Sequence, residues 1–340
     1  MAAEVSGISS RTVRRPLVII VALLFGFCSA AVRAVALEPK PVQPFYNRFS
    51  SEDEAKLGVA LAHNIEADGI PIAVANGTQR TIRIKRDPAL ESYLESITLK
   101  LARSSQRPEI RYSVRVLDAP DVVNAFSIPG GYIYISSGLL DFVNNEAELA
   151  AVLGHEIGHV VARHAINRIA RVSLFSLLVD QARDIGLISD EATAHKLADT
   201  AMPILFAVDA HTFYSRDDEI EADLLGLYEL VRAGWNPEGE STLLARLAKA
   251  TPQESALTAL IATHPNSSDR LLVVQNECKT AAFASGLKLD SAEFRDMKNA
   301  MHGVEKDKFP SGLLLPLSVG SGCVAFAVAG LLWSRRRQTS

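Results

Sequence analysis

Cysteine is scarce in this chain. Three occur in 340 residues, and two of them, Cys28 and Cys323, fall in apolar end segments. Cys278 is left alone in the body, so no intrachain disulfide framework is available there. It reads as a small buried apolar residue rather than a redox site. Charge of either sign is not in excess. Lys and Arg number 35 against 39 Asp and Glu, a formal net of −4. No basic stripe is present, which argues against nucleic acid as a partner. No Gly-x-Ser-x-Gly turn exposes a serine nucleophile, and no cysteine lies near a suitable base. No period of helical-repeat length is found, so no attached repeat scaffold is expected. Chemistry without a covalent nucleophile is what remains.

Residues 155–159 read His-Glu-Ile-Gly-His. On a helix, His155 and His159 project from one face, at the spacing that lets two neutral imidazoles grip one metal ion. Glu156 lies between them, placed to take a proton from an attacking water. This H-E-x-x-H pattern on a helix is the signature of zinc peptidases. Two partly buried helix histidines beside a solvated Glu are the plainer reading. The pattern from 146 to 172 predicts one long helix: Leu149, Val152, Leu153, Val160, Val161, Ile166 and Ile169 recur at helical spacing. Asn144 or Asn145 can cap its start, and Glu146 and Glu148 suit its first turn. Gly154 and Gly158 are four apart within it. They fit close helix packing, or close approach by a substrate or a ligand-bearing neighbour.

A catalytic zinc site needs a third protein ligand and an open position. Residues 214–226 predict a second helix in which Glu219 and Asp223 share a face. A metal-binding Glu219, with Asp223 receiving a ligand histidine's N–H, would supply that ligand and its support. Glu221 competes as the ligand, and an acidic solvated helix start is the other reading.

Residues 114–117 and 122–128 read as strands, 129–131 as a Pro-Gly-Gly turn, and 132–135 as a returning strand. An edge strand beside the histidine helix could bind an extended peptide by strand addition, through Asn124, Ala125 and Phe126. It could equally be a hairpin that covers the helix. Ser51-Glu-Asp-Glu54 reads as a capping box opening a helix to about 65, and Asp87-Pro88 opens another to about 103. Helices are also expected over 237–250, 268–275 and 291–302. The insert 173–213 holds two apolar clusters, each too short to span a bilayer, which predict a helical hairpin over the active site or a membrane-dipping element. His195 and His211, within it, read as non-ligands.

Four blocks in order carry a resemblance: 124–140, 148–159, 215–223 and 263–270. With them the chain resembles the membrane-linked gluzincin zinc metallopeptidases that include HtpX, the CAAX prenyl protease and the mitochondrial inner-membrane quality-control protease. The resemblance covers most of 50–280. It implies one Zn2+ held by His155, His159 and Glu219, with Glu156 as general base and Asp223 behind the ligands. It also implies that His264, on a loop approaching the metal, steadies the transition state or acts as an inhibitory ligand, with Arg270 as its partner.

The ends bear on location. Arg11, Arg14 and Arg15 precede an uncharged apolar run, and Ala34-Val-Ala36 follows as a cleavage-type site. Residues 1–36 therefore read as a signal peptide or an uncleaved anchor, and 37–50 as a Pro-rich linker. Residues 312–334 read as a transmembrane helix, about 33 Å against a core of about 30 Å, followed by a basic cytoplasmic tail at 335–340. The basic ends place the body across the membrane from the cytoplasm, in a bacterial setting facing the periplasm.

The expected architecture is a helix-rich α+β metallopeptidase domain over 51–305 with a small antiparallel sheet, plus the C-terminal membrane helix. The expected activity is endopeptidase cleavage of unfolded or damaged envelope proteins. A membrane-held chaperone or adaptor is the first rival, and the intact Glu156 argues against it. A prenyl-peptide protease is the second, and the shortage of spanning segments argues against that.

Overall fold

In the computed structural model, residues 49–73, 79–171, 190–206, 214–249, 257–264, 267–281 and 283–303 are described. The expected signal or anchor, the linker up to residue 48, the C-terminal span and its basic tail lie outside them, as do the first apolar cluster of the insert and His211. Phe49 and Ser50, expected in the linker, are instead a core residue and a helix cap. Among the described residues no helix is long and apolar enough to cross a membrane. By internal contact the chain parts into 1–298 and 299–340, and of the second unit only 299–303 are described.

Helix α1, Ser51–Asp68, starts from a capping box. The Asp53 N–H donates to Ser50 Oγ and the Ser50 N–H donates to Asp53 Oδ2, both at 3.0 Å. The box is one residue earlier than the sequence suggested. Its expected acidic member, Glu54, is instead buried and bonded to Arg107 and Arg163. A short antiparallel pair follows, β1 Ile70–Ala73 and β2 Gln79–Ile82. Helix α2, Pro88–Ala102, has Asp87 as its cap and Pro at its first position, where no N–H is needed.

The main sheet contains β3 Ser113–Leu117, β4 Ala125–Ile128 and β5 Tyr132–Ser136, in the order β3-β5-β4. β4 and β5 form the expected hairpin around Pro129-Gly130-Gly131, where both glycines take positive φ (84° and 90°). β3 pairs in parallel with β5, so the sheet is mixed rather than wholly antiparallel. The connection after β3 carries the chain past the place that β5 later fills, and β4 is left at the edge. Helix α3, Ser137–Phe142, follows directly from Ser136 as cap.

Helix α4, Glu146–Val161, bears the H-E-x-x-H segment. Asn145 caps it, accepting from the Glu148 N–H at 2.9 Å. The expected single helix to 172 is broken. Arg163 takes a left-handed φ of 59°, and α5 begins at His164–Arg171. The break is held from outside the helix: Arg163 Nε donates to Glu54 Oε2 (2.9 Å) and Nη2 donates to the Phe49 carbonyl (2.8 Å). Helix α6, Glu191–Phe206, is the described part of the insert. Its Ala194, Leu197, Ala198 and Ala201 share one core cluster with Leu57 and Leu61 of α1, so it packs on that helix.

Helix α7, Arg216–Arg232, crosses α4 and is opened by a second capping box, Ser215 with Asp218. The crossing is close because small residues face each other. A β-carbon at Gly154 would lie 3.1 Å from the Gly226 carbonyl oxygen, and one at Gly158 would lie 2.6 Å from that of Ala222. The neighbour that approaches these glycines is therefore the helix with the acidic ligand candidates. Helices α8 Glu238–Leu247, α9 Thr258–Thr263, α10 Ser267–Ala281 and α11 Ala292–Met301 complete the order. Cys278 is half-buried beside Leu227, Leu244 and Val274, and burial pushes its thiol up to about 11.

Candidate metal centre

The crossing of α4 and α7 brings three side chains together, and His264, at the end of α9, adds a fourth. One donor atom each from His155, His159, Glu219 and His264 lies within 4.8 Å of the other three, and all four residues are buried. His155 Nε2 and His159 Nε2 are 2.9 Å apart. Glu219 offers Oε1 at 3.4 Å from His159 Nε2 and Oε2 at 3.6 Å from His155 Nε2. Ligands of a tetrahedral zinc at about 2.0–2.1 Å stand about 3.3 Å from one another. The three spacings bracket that value, so the donor set fits such an ion. Glu221 does not reach this group; its carboxylate faces His164.

Each ligand candidate is held from behind. His155 donates its Nδ1–H to Asp223 Oδ1 at 2.7 Å, which leaves Nε2 with its lone pair toward the centre. Arg270 donates from Nε and Nη2 to Asp223, both at 2.7 Å, and from Nη1 to Glu219 Oε2 at 2.6 Å. One guanidinium thus fixes both acidic side chains. Burial alone would raise their carboxyls. The charges of His264 and Arg270 hold Glu219 well below the usual range, and Arg270 holds Asp223 down. Burial, then the neighbouring His155, pushes His159 well below its ordinary value, which favours the neutral ring that ligation requires.

His159 has a support that the sequence reading did not find. Its Nδ1 is 2.8 Å from His164 Nδ1, and His164 Nε2 is 3.1 Å from Glu221 Oε2 and 3.5 Å from Asp218 Oδ1. With the proton of His159 on Nδ1, that N–H donates to His164, whose own proton sits on Nε2 facing the acids. Nε2 of His159 is then free to ligate. His164 gets there only because of the turn at Arg163, which no helical period shows. Tyr214 was also missed: its ring stacks on His159, centroids 3.9 Å apart.

His264 sits across the centre. Its Nδ1 is 3.2 Å from His155 Nε2 and 3.1 Å from Glu219 Oε1. Its Nε2 is 3.2 Å from the Ala125 carbonyl and 3.6 Å from Glu156 Oε1. Burial opposes its charge, but Glu219 and then Glu156 outweigh that and push it up to about 9. Glu156 is buried beside the ligands. Its Oε2 has no hydrogen-bond partner among the described residues, and its backbone carbonyl accepts from Ser127 Oγ at 3.1 Å.

The three residues expected to bind substrate lie at the start of β4. The Ser136 N–H donates to the Asn124 carbonyl, so Asn124, and by alternation Phe126, pair toward β5. Ala125 and Ser127 then turn their backbone groups to the buried edge of β4 away from β5, where His264 meets the Ala125 carbonyl. Asn124 instead offers its side chain: Thr263 Oγ1 donates to Asn124 Oδ1 at 3.1 Å. His195 is not at the centre; it packs edge-on against His63 of α1.

Two histidines one turn apart, an acid from a crossing helix and a Glu beside them are the side chains that peptide hydrolysis at a metal calls for. Residues 88–278 match Peptidase family M48, and the chain belongs to that family. It is similar to the mitochondrial metalloendopeptidase OMA1 of Arabidopsis thaliana, 34% identical over 169 residues, which are 50% of this chain and 32% of that protein. The OMA1 of Schizosaccharomyces pombe is 30% identical over 183 residues, 54% of this chain and 51% of that one. The beta-barrel assembly-enhancing protease of Escherichia coli K12 is 28% identical over 200 residues, 56% of this chain and 39% of that one. The chain thus spans between about a third and a half of the length of these relatives.

Proposed function

We propose that the chain is a zinc-dependent endopeptidase acting on unfolded or damaged proteins at a membrane. The observation that carries this is the convergence of His155 Nε2, His159 Nε2 and the Glu219 carboxylate beside Glu156. Those three residues would hold Zn2+. Bound there, zinc would acidify a water and polarise a peptide carbonyl. Glu156, whose Oε2 is unengaged among the described residues, takes the proton of the attacking water and returns it to the leaving amine. Arg270 positions Glu219 and Asp223, and Asp223 fixes the ring of His155.

The peptide lies along the edge of β4 away from β5, pairing with the Ala125 and Ser127 backbone groups, which gives affinity with little sequence preference. His264 competes with it twice, at the ligand group and at the Ala125 carbonyl. It is a resting-state block that substrate displaces. The apolar segment 312–334 and the basic tail support a membrane-held body on the non-cytoplasmic side, suited to a quality-control role. The names of the similar proteins, a mitochondrial metalloendopeptidase and a protease that enhances beta-barrel assembly, agree with such a role.

The test is casein hydrolysis by the purified chain alongside its metal content. One zinc per chain and cleavage abolished by a chelator and restored by zinc are expected. Cleavage that survives complete removal of metal would overturn the proposal.

A further inference from the structure

A cleft opens beside the metal centre. His155, Glu156 and His264 line it on one side and Ala125 of the edge strand lies at its rim. It is narrow, with room for the centres of water-sized molecules of about 40 Å³. Leu139, Val152, Leu243, Leu247 and Leu260 give it apolar walls, and Asp223, Arg270 and Glu240 also line it. Helix α8 presents Leu243, Leu244 and Leu247 as its buried face, and Glu240 stands on that same face.

Glu240 is out of place by every rule of burial. It is 4% exposed, it lines the cleft, and neither carboxyl oxygen has a hydrogen-bond partner among the described residues. Burial and then the charge of Asp223 push its carboxyl well above the usual range, so it waits there as a neutral acid. Buried polar groups in folded proteins are nearly always paired, and an orphan calls for an explanation. No step of peptide hydrolysis uses this one. The arginine in the cleft, Arg270, is already spent on Asp223 and Glu219.

We propose that this cleft is the subsite for the substrate side chain next to the cleaved bond, with Glu240 selecting a long apolar shaft that ends in a cation. Lysine or arginine is then preferred to an apolar residue. The proposal rests on the peptidase reading of the same site. A peptide on the edge of β4 passes Ala125 and Glu156, and its side chains alternate across the strand. The one flanking the attacked carbonyl drops between the leucines. An apolar tip leaves the acid as unpaired as before. An ammonium or guanidinium pairs with it, and the acid's proton leaves to solvent. The difference between a satisfied and an orphaned buried acid corresponds to about tenfold or more in affinity.

The test is peptide binding to the zinc-loaded Glu156→Gln chain, which separates recognition from cleavage. Two fluorescent peptides are used, identical except for one lysine or one norleucine in a Ser/Ala background, and their dissociation constants are compared by anisotropy. With Glu240 intact, the lysine peptide is expected to bind about tenfold tighter or more. Glu240→Met should bring the ratio to one or below, and the isosteric Glu240→Gln should lower it without disturbing the packing. Equal affinities with Glu240 intact, failure to bind either peptide, or a ratio unmoved by both substitutions would overturn the inference. Failure of the peptidase reading would show separately, as an unmodified chain that does not cleave casein.

Discussion

Gly158 of α4 lies against Ala222 of α7 so closely that a β-carbon on the glycine would stand 2.6 Å from the Ala222 carbonyl oxygen. The contact sits between His159, the next residue along α4, and the pair Glu219 and Asp223 that flank Ala222. Packing and ligand geometry are therefore one feature. In Gly158→Ala the backbone must yield, since no flexible side chain is at the contact. Alanine is the better helix former by about 1 kcal/mol, yet overpacking of about 1–3 kcal/mol opposes it, and the helices must separate. The expected result is a protein that still folds but binds zinc at least tenfold more weakly, measured by competition with a chromophoric chelator. Unchanged affinity would mean that the crossing tolerates a methyl group and does not set the ligand spacing.

His264 is the side chain expected to report on control of the site. It touches His155, Glu219, Glu156 and the Ala125 carbonyl at once. His264→Ala should raise basal casein hydrolysis, because both the ligand group and the strand edge are freed. A loss of about a hundredfold or more would instead make it a donor to the developing oxyanion. Unchanged turnover would leave it structural.

Glu229 supplies a pH dependence away from the metal. It is buried, neither carboxyl oxygen is bonded among the described residues, and burial pushes its carboxyl well above the ordinary value, against a smaller effect of Arg232. In the unfolded chain it ionises at about 4.3. The folded state therefore holds the proton more tightly. Stability tied to this group is fully present below that pH and is lost as pH rises toward the raised folded value. Glu229→Gln removes the dependence. The melting-temperature difference, variant minus parent, should grow from pH 5 to pH 8 by about 3 °C or more. A constant difference would show that the carboxyl is not held protonated.

The membrane arrangement can be checked directly. A phosphatase that is active only outside the cytoplasm, fused after Gly303 in the chain carrying its own N-terminus, should be active. Activity from a cytoplasm-only reporter at the same position would reverse the orientation drawn from Arg11, Arg14 and Arg15 ahead of the first apolar run.

What the sequence made legible was local. The two caps Asn145 and Asp87, the β4–β5 hairpin with its glycines, and the two site-bearing helices follow from spacing within a few residues. What it hid depends on distant partners. The break at Arg163 is set by Glu54 and Phe49, more than a hundred residues earlier, and without it His164 would not face His159. The parallel pairing of β3 with β5 and the docking of α6 on α1 are likewise long-range choices that leave no periodic trace. The pair β1–β2 and the six-residue α3 went unseen because they are too short for a pattern to emerge. Glu240 was passed over because an acid within an amphipathic helix looks solvated until its face is known.

The most direct test is one variant, Glu156→Gln, assayed for zinc and for casein hydrolysis in the same preparation. The substitution is nearly isosteric and leaves His155, His159 and Glu219 in place, so zinc content should match the parent. The amide cannot accept the proton of the attacking water, and turnover should fall by about a hundredfold or more. Near-normal turnover with zinc retained would contradict the assignment of Glu156 as the base, and with it the mechanism proposed for this site.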